Sequence, residues 1–113
     1  MATHIKTRRA PGTYVIRAAG AVIGETTNAI ELTEPGYDSV IYFPRADIAM
    51  AFLEPSDTTS TCPHKGDASH YHIAAKSGMI QDAGWSYESP LDGVADIAGY
   101  LAFRHEKVAV EQL

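Results

Sequence analysis

Short apolar runs, each stopped by a glycine, a proline or a polar turn, recur along the whole chain. The runs are rich in β-branched and aromatic residues, which predicts short strands joined by tight turns. We predict strands over 14–17, 22–24, 29–33, 40–43, 71–75, 79–80, 85–87, 100–103 and 108–110. The last two flank the polar stretch 104–107 as a final hairpin. Many short strands at close spacing predict a mainly β fold, either a single small antiparallel β barrel or a sandwich.

Three segments depart from the strand pattern. Residues 1–11 are basic and lack a following apolar run, so we expect a flexible N-terminal arm before a single β domain over 12–113. Residues 90–98 predict one short helix near the C-terminus, with Gly99 in the left-handed position just after its end. Residues 45–48 are expected to form one helical turn.

Composition and charge narrow the classes of function. Hydrophobic residues make up 45% of the chain and charged residues 20%, as in ordinary globular proteins. The net charge is −5 and the basic residues form no stripe, so we expect no nucleic-acid partner. No apolar run approaches the roughly 20 residues of a membrane span. The single cysteine excludes an internal disulfide and fits a cytoplasmic protein. We expect a small anionic or polar molecule as the partner, with a homodimer or a protein partner left open.

The stretch 53–69 reads LEPSDTTSTCPHKGDAS and concentrates reactive side chains with almost no aliphatic bulk. We predict that it is a loop carrying the site. Cys62 precedes Pro63, which favours an extended conformation, and a cation such as Lys65 nearby lowers the pKa of a thiol. Cys62 is therefore a candidate nucleophile, and the alternative is a small buried apolar residue. Glu54 ends an apolar run, so we expect it to be partly buried.

The tripeptide 65–67 combines a cation with a glycine that lets backbone N–H groups approach an anion. Capture of a phosphate or carboxylate by Lys65 is one interpretation. The other is a tight turn in which Lys65 pairs with Glu54. The histidines at 70 and 72 share one face of a predicted strand and, with His64 or Asp67, could in principle bind a metal. A lone HxH pattern is weak evidence, so we expect no metal and no cofactor.

Several motifs occur together in a recognisable order: YFP at 42–44, LEPSD at 53–57, CPHKGDAS at 62–69, WSY at 85–87 and IAGYLAF at 97–103. The series resembles the bacterial family catalogued as domain of unknown function 427, which also carries a nucleotidyltransferase-like label. The resemblance implies a small β fold similar to the β-tent of zinc-binding nucleotide-exchange chaperones and methionine sulfoxide reductases. The family pattern does not keep the histidines at 64, 70 and 72, which further weakens a metal site.

Two functional hypotheses remain. In the first, the protein is a small-ligand domain or a transferase with a pocket built on the 53–57 and 62–69 segments. Its candidate catalytic residues are Cys62, Lys65 and Glu54, and its candidate ligand-binding residues are Tyr42, Arg45, Gly66, Asp67, Tyr87 and Trp85. In the second, the protein is a non-catalytic β module in which both segments are structural turns. Trp85 fits either a pocket wall or the core.

Overall fold

The computed structural model describes residues 4–113, and short antiparallel strands make up most of this part of the chain. Each strand matches a run of β-branched or aromatic residues or an alternation of polar and apolar ones. The strands are β1 (Lys6–Arg9), β2 (Tyr14–Ala18), β3 (Ala21–Thr26), β4 (Ile30–Thr33), β5 (Val40–Tyr42), β6 (Leu53–Cys62), β7 (Gly66–Ala75), β8 (Gly78–Ser86), β9 (Ala102–Phe103) and β10 (Ala109–Gln112).

The strands form three antiparallel sheets. The first sheet has the order β1-β4-β5, the second β10-β2-β3, and the third, called here the long sheet, β6-β7-β8-β9. The mainly β fold expected from the sequence is confirmed. None of the three sheets closes on itself, so the expected barrel is not formed.

Two buried clusters lie between these sheets. The larger contains Ile16, Phe43 and Phe103, with the two phenylalanine rings 5.9 Å apart in an edge-to-face arrangement. The smaller contains Tyr42 and Tyr87. Tyr42 and Phe43 are consecutive, and side chains alternate between the two faces of an extended chain, so this one segment supplies both clusters.

The segment predicted to be a reactive loop is instead a β-hairpin. Residues 53–62 form β6, residues 66–75 form β7, and only 63–65 lie in the turn. The threonine and serine residues that made the segment look irregular suit an exposed strand whose backbone is paired on one side. The turn closes with a hydrogen bond from the Lys65 N–H to the Cys62 carbonyl oxygen at 3.2 Å. Gly66 follows with φ +111°, the conformation that three-residue hairpin loops require.

The two ends of the chain also differ from the sequence prediction. Lys6–Arg9, expected to be part of a flexible arm, forms β1 and pairs with β4, and the Arg8 side chain bonds Glu31 at 2.7 Å. Residues 1–3 of that arm lie outside the described residues. The predicted final hairpin is wrong, because β9 pairs with β8 whereas β10 pairs with β2.

The helical segments are all short 3-10 turns. The one expected over 90–98 spans Asp92–Ile97 and is kinked at Val94, and Gly99 follows with φ +75°. Two others span Arg45–Asp47, as expected, and Met50–Phe52. Among residues 4–113, no helix is long and apolar enough to span a bilayer.

Candidate functional site

A cavity of about 890 Å³ opens between the β1-β4-β5 sheet and the long sheet. One wall comes from β4, β5 and the turn between them, including Leu32, Glu34 and Tyr42. The opposite wall comes from the hairpin and the strands beside it, including Cys62 and Trp85. Mostly apolar walls with a few converging polar groups are typical of small-molecule sites.

Lys65 is held at this cavity by Glu34. The Lys65 ammonium donates a hydrogen bond to the Glu34 carboxylate at 3.0 Å, and the two side chains are only 12% and 19% exposed. Burial opposes the charge on Lys65, but hydrogen bonds to Glu34 and Cys62 outweigh it and raise the pKa of Lys65. The amine is therefore a protonated cation at neutral pH. The partner of Lys65 is Glu34 of the turn after β4, and not Glu54.

Cys62 ends β6 and is half-buried on the cavity wall. Its neighbour in the turn is Lys65, whose N–H bonds the Cys62 carbonyl oxygen. Pro63 directly after Cys62 favours the extended backbone of a strand end at this position. The thiol and the ammonium therefore lie together on one side of the cavity, as the sequence suggested.

Three aromatic residues complete the same region. The Trp85 indole N–H donates a long hydrogen bond of 3.4 Å to the Tyr42 hydroxyl. Burial raises the pKa of Tyr42 to about 12, although this hydrogen bond acts in the opposite direction. Burial also raises the pKa of Tyr87, with Lys65 opposing the shift. Both phenols are therefore neutral at physiological pH and offer hydroxyl groups rather than charges.

The remaining predicted site residues do not line the cavity. Arg45 bonds Glu88 at 2.8 Å and stacks over the Tyr71 ring at 5.6 Å, as part of a separate surface cluster. Glu54 is exposed, contrary to the expectation of partial burial, because β6 is an edge strand of the long sheet.

The residues after the hairpin turn have structural contacts. Asp67 accepts a hydrogen bond of 2.8 Å from the Thr61 hydroxyl, its cross-strand neighbour. Gly66 lies against the backbone of 89–91, and the Leu91 N–H bonds the Lys65 carbonyl oxygen at 3.0 Å. Of the nine residues proposed from the sequence, the cavity therefore brings together five: Tyr42, Cys62, Lys65, Trp85 and Tyr87.

The histidines at 70 and 72 make different contacts, and His64 and His70 both line the cavity. A register shift between Tyr71 and Ile73 interrupts the regular pairing of β7 with β8. His70 is 5% exposed and lies 2.9 Å from the Ser60 hydroxyl, whereas His72 accepts a hydrogen bond from the Asp82 N–H at 3.0 Å. Over residues 4–113, no three metal-binding side chains gather closely enough to hold a metal ion.

The sequence interpretation missed several polar residues of the cavity, namely Glu34, Tyr37, Asp38, Ser39, Ser60, Arg104, His105 and Glu106. Glu34 precedes Pro35 and Gly36, a pair typical of turns, and Arg104 lies in the polar stretch that the sequence predicts to connect a hairpin. Ser60 was one of several similar hydroxyl residues on β6. No local pattern distinguishes these residues, because their roles arise from long-range strand pairing.

The fold and the cavity together define a small mainly β domain with a mixed polar and aromatic site. The family model described as Domain of unknown function (DUF427) matches residues 6–112, and the chain belongs to this family. No curated protein matches the chain.

Proposed function

We propose that this protein binds a small polar molecule in the cavity between the β1-β4-β5 sheet and the long sheet. The observation that carries the proposal is the convergence of Cys62, Lys65, Tyr42, Trp85 and Tyr87 on one cavity. These residues come from the hairpin turn and from two different sheets. The volume of about 890 Å³ lies in the range of small-molecule sites.

The chemistry of the walls supports a partly planar ligand. Trp85 and Leu32 offer apolar surface, while the hydroxyl groups of Tyr42 and Tyr87 remain protonated because burial raises the pKa of both. A planar ring can pack against the indole and place polar substituents at the hydroxyl groups. A nucleic-acid backbone is disfavoured as a ligand by the net charge of −5.

A thermal-shift screen with a metabolite library tests the proposal. A ligand that binds only the folded state raises the melting temperature in a concentration-dependent way. Val40 lines the cavity, so Val40→Trp should place an indole ring inside it, obstruct the ligand and reduce the shift. Val22 is 48% exposed and lies outside the cavity, so Val22→Trp is the matched control and should keep the shift.

Two outcomes would contradict binding in this cavity. One is a library in which no compound stabilises the wild type. The other is a ligand whose shift is equal in wild type and in a folded Val40→Trp variant, which would place the ligand elsewhere on the protein.

A transferase that uses the same cavity is the second candidate. The observation in its favour is that a thiol and an amine, from Cys62 and Lys65, lie together on the wall. The nucleotidyltransferase-like label of the family and the resemblance to the β-tent fold are consistent with this second candidate. Incubation with nucleoside triphosphates and intact-mass spectrometry would test it. In such a transfer the Cys62 sulfur would form a bond to the α-phosphorus of the triphosphate, pyrophosphate would leave and the thiol proton would pass to solvent. A nucleotidyl adduct lost in Cys62→Ser would support transfer, and an unmodified chain would contradict it.

A further inference from the structure

Four side chains form a row across the long sheet on the cavity wall. Ser60 lies on β6, His70 on β7 and Trp85 on β8, and Arg104 follows β9 directly. His70 and Trp85 are cross-strand partners, and the Arg104 guanidinium carbon lies 5.8 Å from the centroid of the Trp85 ring. All four residues line the cavity. We call them the Ser60–Arg104 row.

Arg104 is a cation with hydrogen-bonding capacity to spare. Its Nε donates to the Asp82 carbonyl oxygen at 3.0 Å, which holds the guanidinium over the indole. Within residues 4–113, no carboxylate lies within ion-pairing distance of Arg104. The terminal nitrogens of a guanidinium match the geometry of carboxylate and phosphate oxygens.

Lys65 and Arg104 therefore differ in the charge that they offer a ligand. The Lys65 charge is balanced by the Glu34 carboxylate at 3.0 Å. The net charge of −5 disfavours anions over the surface as a whole, so an anion needs a local cation without a partner. Arg104 supplies such a cation on the cavity wall.

His70 gives the row a second polar feature. The ring is 5% exposed, its Nε2 lies 2.9 Å from the Ser60 hydroxyl oxygen, and its Nδ1 is buried without a partner among the described residues. Burial, followed by the nearby Arg104 charge, lowers the pKa of His70, so the ring is neutral at neutral pH.

The tautomer with the proton on Nε2 leaves only an acceptor unpaired at Nδ1, which costs less than an unpaired N–H. In that tautomer Nε2–H donates to the Ser60 oxygen. The Ser60 O–H is then free to donate toward the cavity.

We propose that the Ser60–Arg104 row binds the oxyanion group, a carboxylate or a phosphate monoester, of the ligand that occupies this cavity. Arg104 pairs with the oxyanion and Ser60 donates a hydrogen bond to it. The inference rests on the proposed function, because it specifies one end of the same ligand. The aromatic and apolar walls then receive the uncharged part of the molecule.

Four simple probes test this assignment: benzoate, phenyl phosphate, neutral benzamide and cationic benzylamine. Trp85 is the only tryptophan of the chain, so its fluorescence reports events at the row, and the thermal shift gives a second readout. We expect benzoate or phenyl phosphate to bind at lower concentration than benzamide, and benzylamine to bind weakest. The order of the two oxyanions identifies the carboxylate or the phosphate as the preferred group.

The Arg104→Met variant keeps most of the side-chain length and removes the charge. It should weaken binding of the preferred oxyanion by at least about tenfold and leave benzamide unchanged. Arg104→Lys should retain a preference for the oxyanion over benzamide. Arg17 pairs with Glu111 and does not line this cavity, so Arg17→Met is the matched control and should bind as the wild type does.

The inference is overturned if neither oxyanion binds better than benzamide, or if Arg104→Met binds the oxyanion as tightly as the wild type. If Arg104→Met does not fold, Ser60→Ala on the exposed strand β6 replaces it as the test. An oxyanion affinity of Ser60→Ala equal to that of the wild type would also overturn the inference. The proposed function fails separately. If a library ligand binds the wild type, is blocked by Val40→Trp and shows no preference for an oxyanion, the binding function of the cavity stands and only the oxyanion site is contradicted.

Discussion

The ammonium of Lys65 lies 3.0 Å from the carboxylate of Glu34, a residue 31 positions earlier in the chain. This contact ties the β6–β7 hairpin turn to the turn that follows β4. Both side chains are largely buried, so the cost of removing each charge from water is offset by the attraction of the other. The hairpin that carries Cys62 is therefore fixed against a different sheet.

Removing one partner of this pair should destabilise the protein. We expect Lys65→Met to lower the free energy of unfolding by about 1–3 kcal/mol, because it leaves the Glu34 carboxylate buried without its cation. Glu34→Gln in the Lys65→Met background should restore part of that loss, which a double-mutant cycle by urea denaturation would detect. A loss below about 0.5 kcal/mol for Lys65→Met would show that the pair is not structural.

The alkaline limit of stability should depend on Tyr42. Its pKa is raised to about 12 in the folded state, above the ordinary 10.0 of tyrosine. The neutral phenol is thus favoured by folding, and stability is lost as the pH rises above about 10, where the unfolded chain ionises first. Tyr42→Phe should flatten the decrease in stability between about pH 10 and 12. Ultraviolet absorbance of the phenolate should show one fewer late-titrating tyrosine in the variant than in the wild type, since burial raises the pKa of both Tyr42 and Tyr87.

His70 should make the stability of the protein sensitive to mild acid. Burial lowers the pKa of His70 below the ordinary value of 6.5, so the unfolded state takes up a proton more readily than the folded state. Stability should fall as the pH decreases from about 7 to 5, and His70→Gln should reduce that slope. Equal slopes for the two proteins in urea denaturation at several pH values would contradict this role. A separate loss below about pH 4 is expected from Asp82, whose pKa is lowered chiefly by the Ser56 hydroxyl.

Cys62 provides a chemical reporter of the cavity. Because it is the only cysteine and is half-buried on the wall, iodoacetamide should label the native protein at a single site. Any ligand found in the screen should slow this labelling, as followed by intact-mass spectrometry, and Cys62→Ser should abolish it. Labelling that is as fast with saturating ligand as without it would indicate that the ligand does not reach the hairpin end of the cavity.

Gly66 tests the geometry of the hairpin. Its φ of +111° is strained for any residue with a β-carbon, and an added β-carbon would lie 3.5 Å from the Ser89 carbonyl oxygen. We expect Gly66→Ala to cost about 1 kcal/mol or more of unfolding free energy. Gly93 has no neighbour within 4 Å of such a carbon, so Gly93→Ala is the matched control and should change stability by less. Similar losses in both variants would contradict the argument.

The sequence predicted local features well because they depend on neighbouring residues. The run at 14–17 lies within β2 and the run at 40–43 overlaps β5, and Gly99 has the positive φ expected after the last helical turn. Cys62 and Lys65 face the same cavity because a three-residue turn leaves them few other arrangements.

The errors concern pairing across the chain. A polar edge strand such as β6 has almost no apolar periodicity, so it resembled a loop. The strands β9 and β10 are close in sequence but join different sheets, and no local pattern in residues 104–107 indicates this. Glu54 is the only partner that the sequence suggests for Lys65 in the interpretation of a structural ion pair, whereas the structure pairs Lys65 with Glu34 in the turn after β4. Sequence patterns do not specify which distant turn lies beside a given residue.

The division of Tyr42 and Phe43 between two clusters has a consequence for the evolution of this chain. Deletion or insertion of one residue in β5 would exchange their directions, placing a phenol in the apolar cluster and a phenyl ring beside Trp85. A length change there would damage the core and the cavity together, and no single compensating substitution could repair both. We therefore expect the segment that carries Tyr42 and Phe43 to tolerate no insertion.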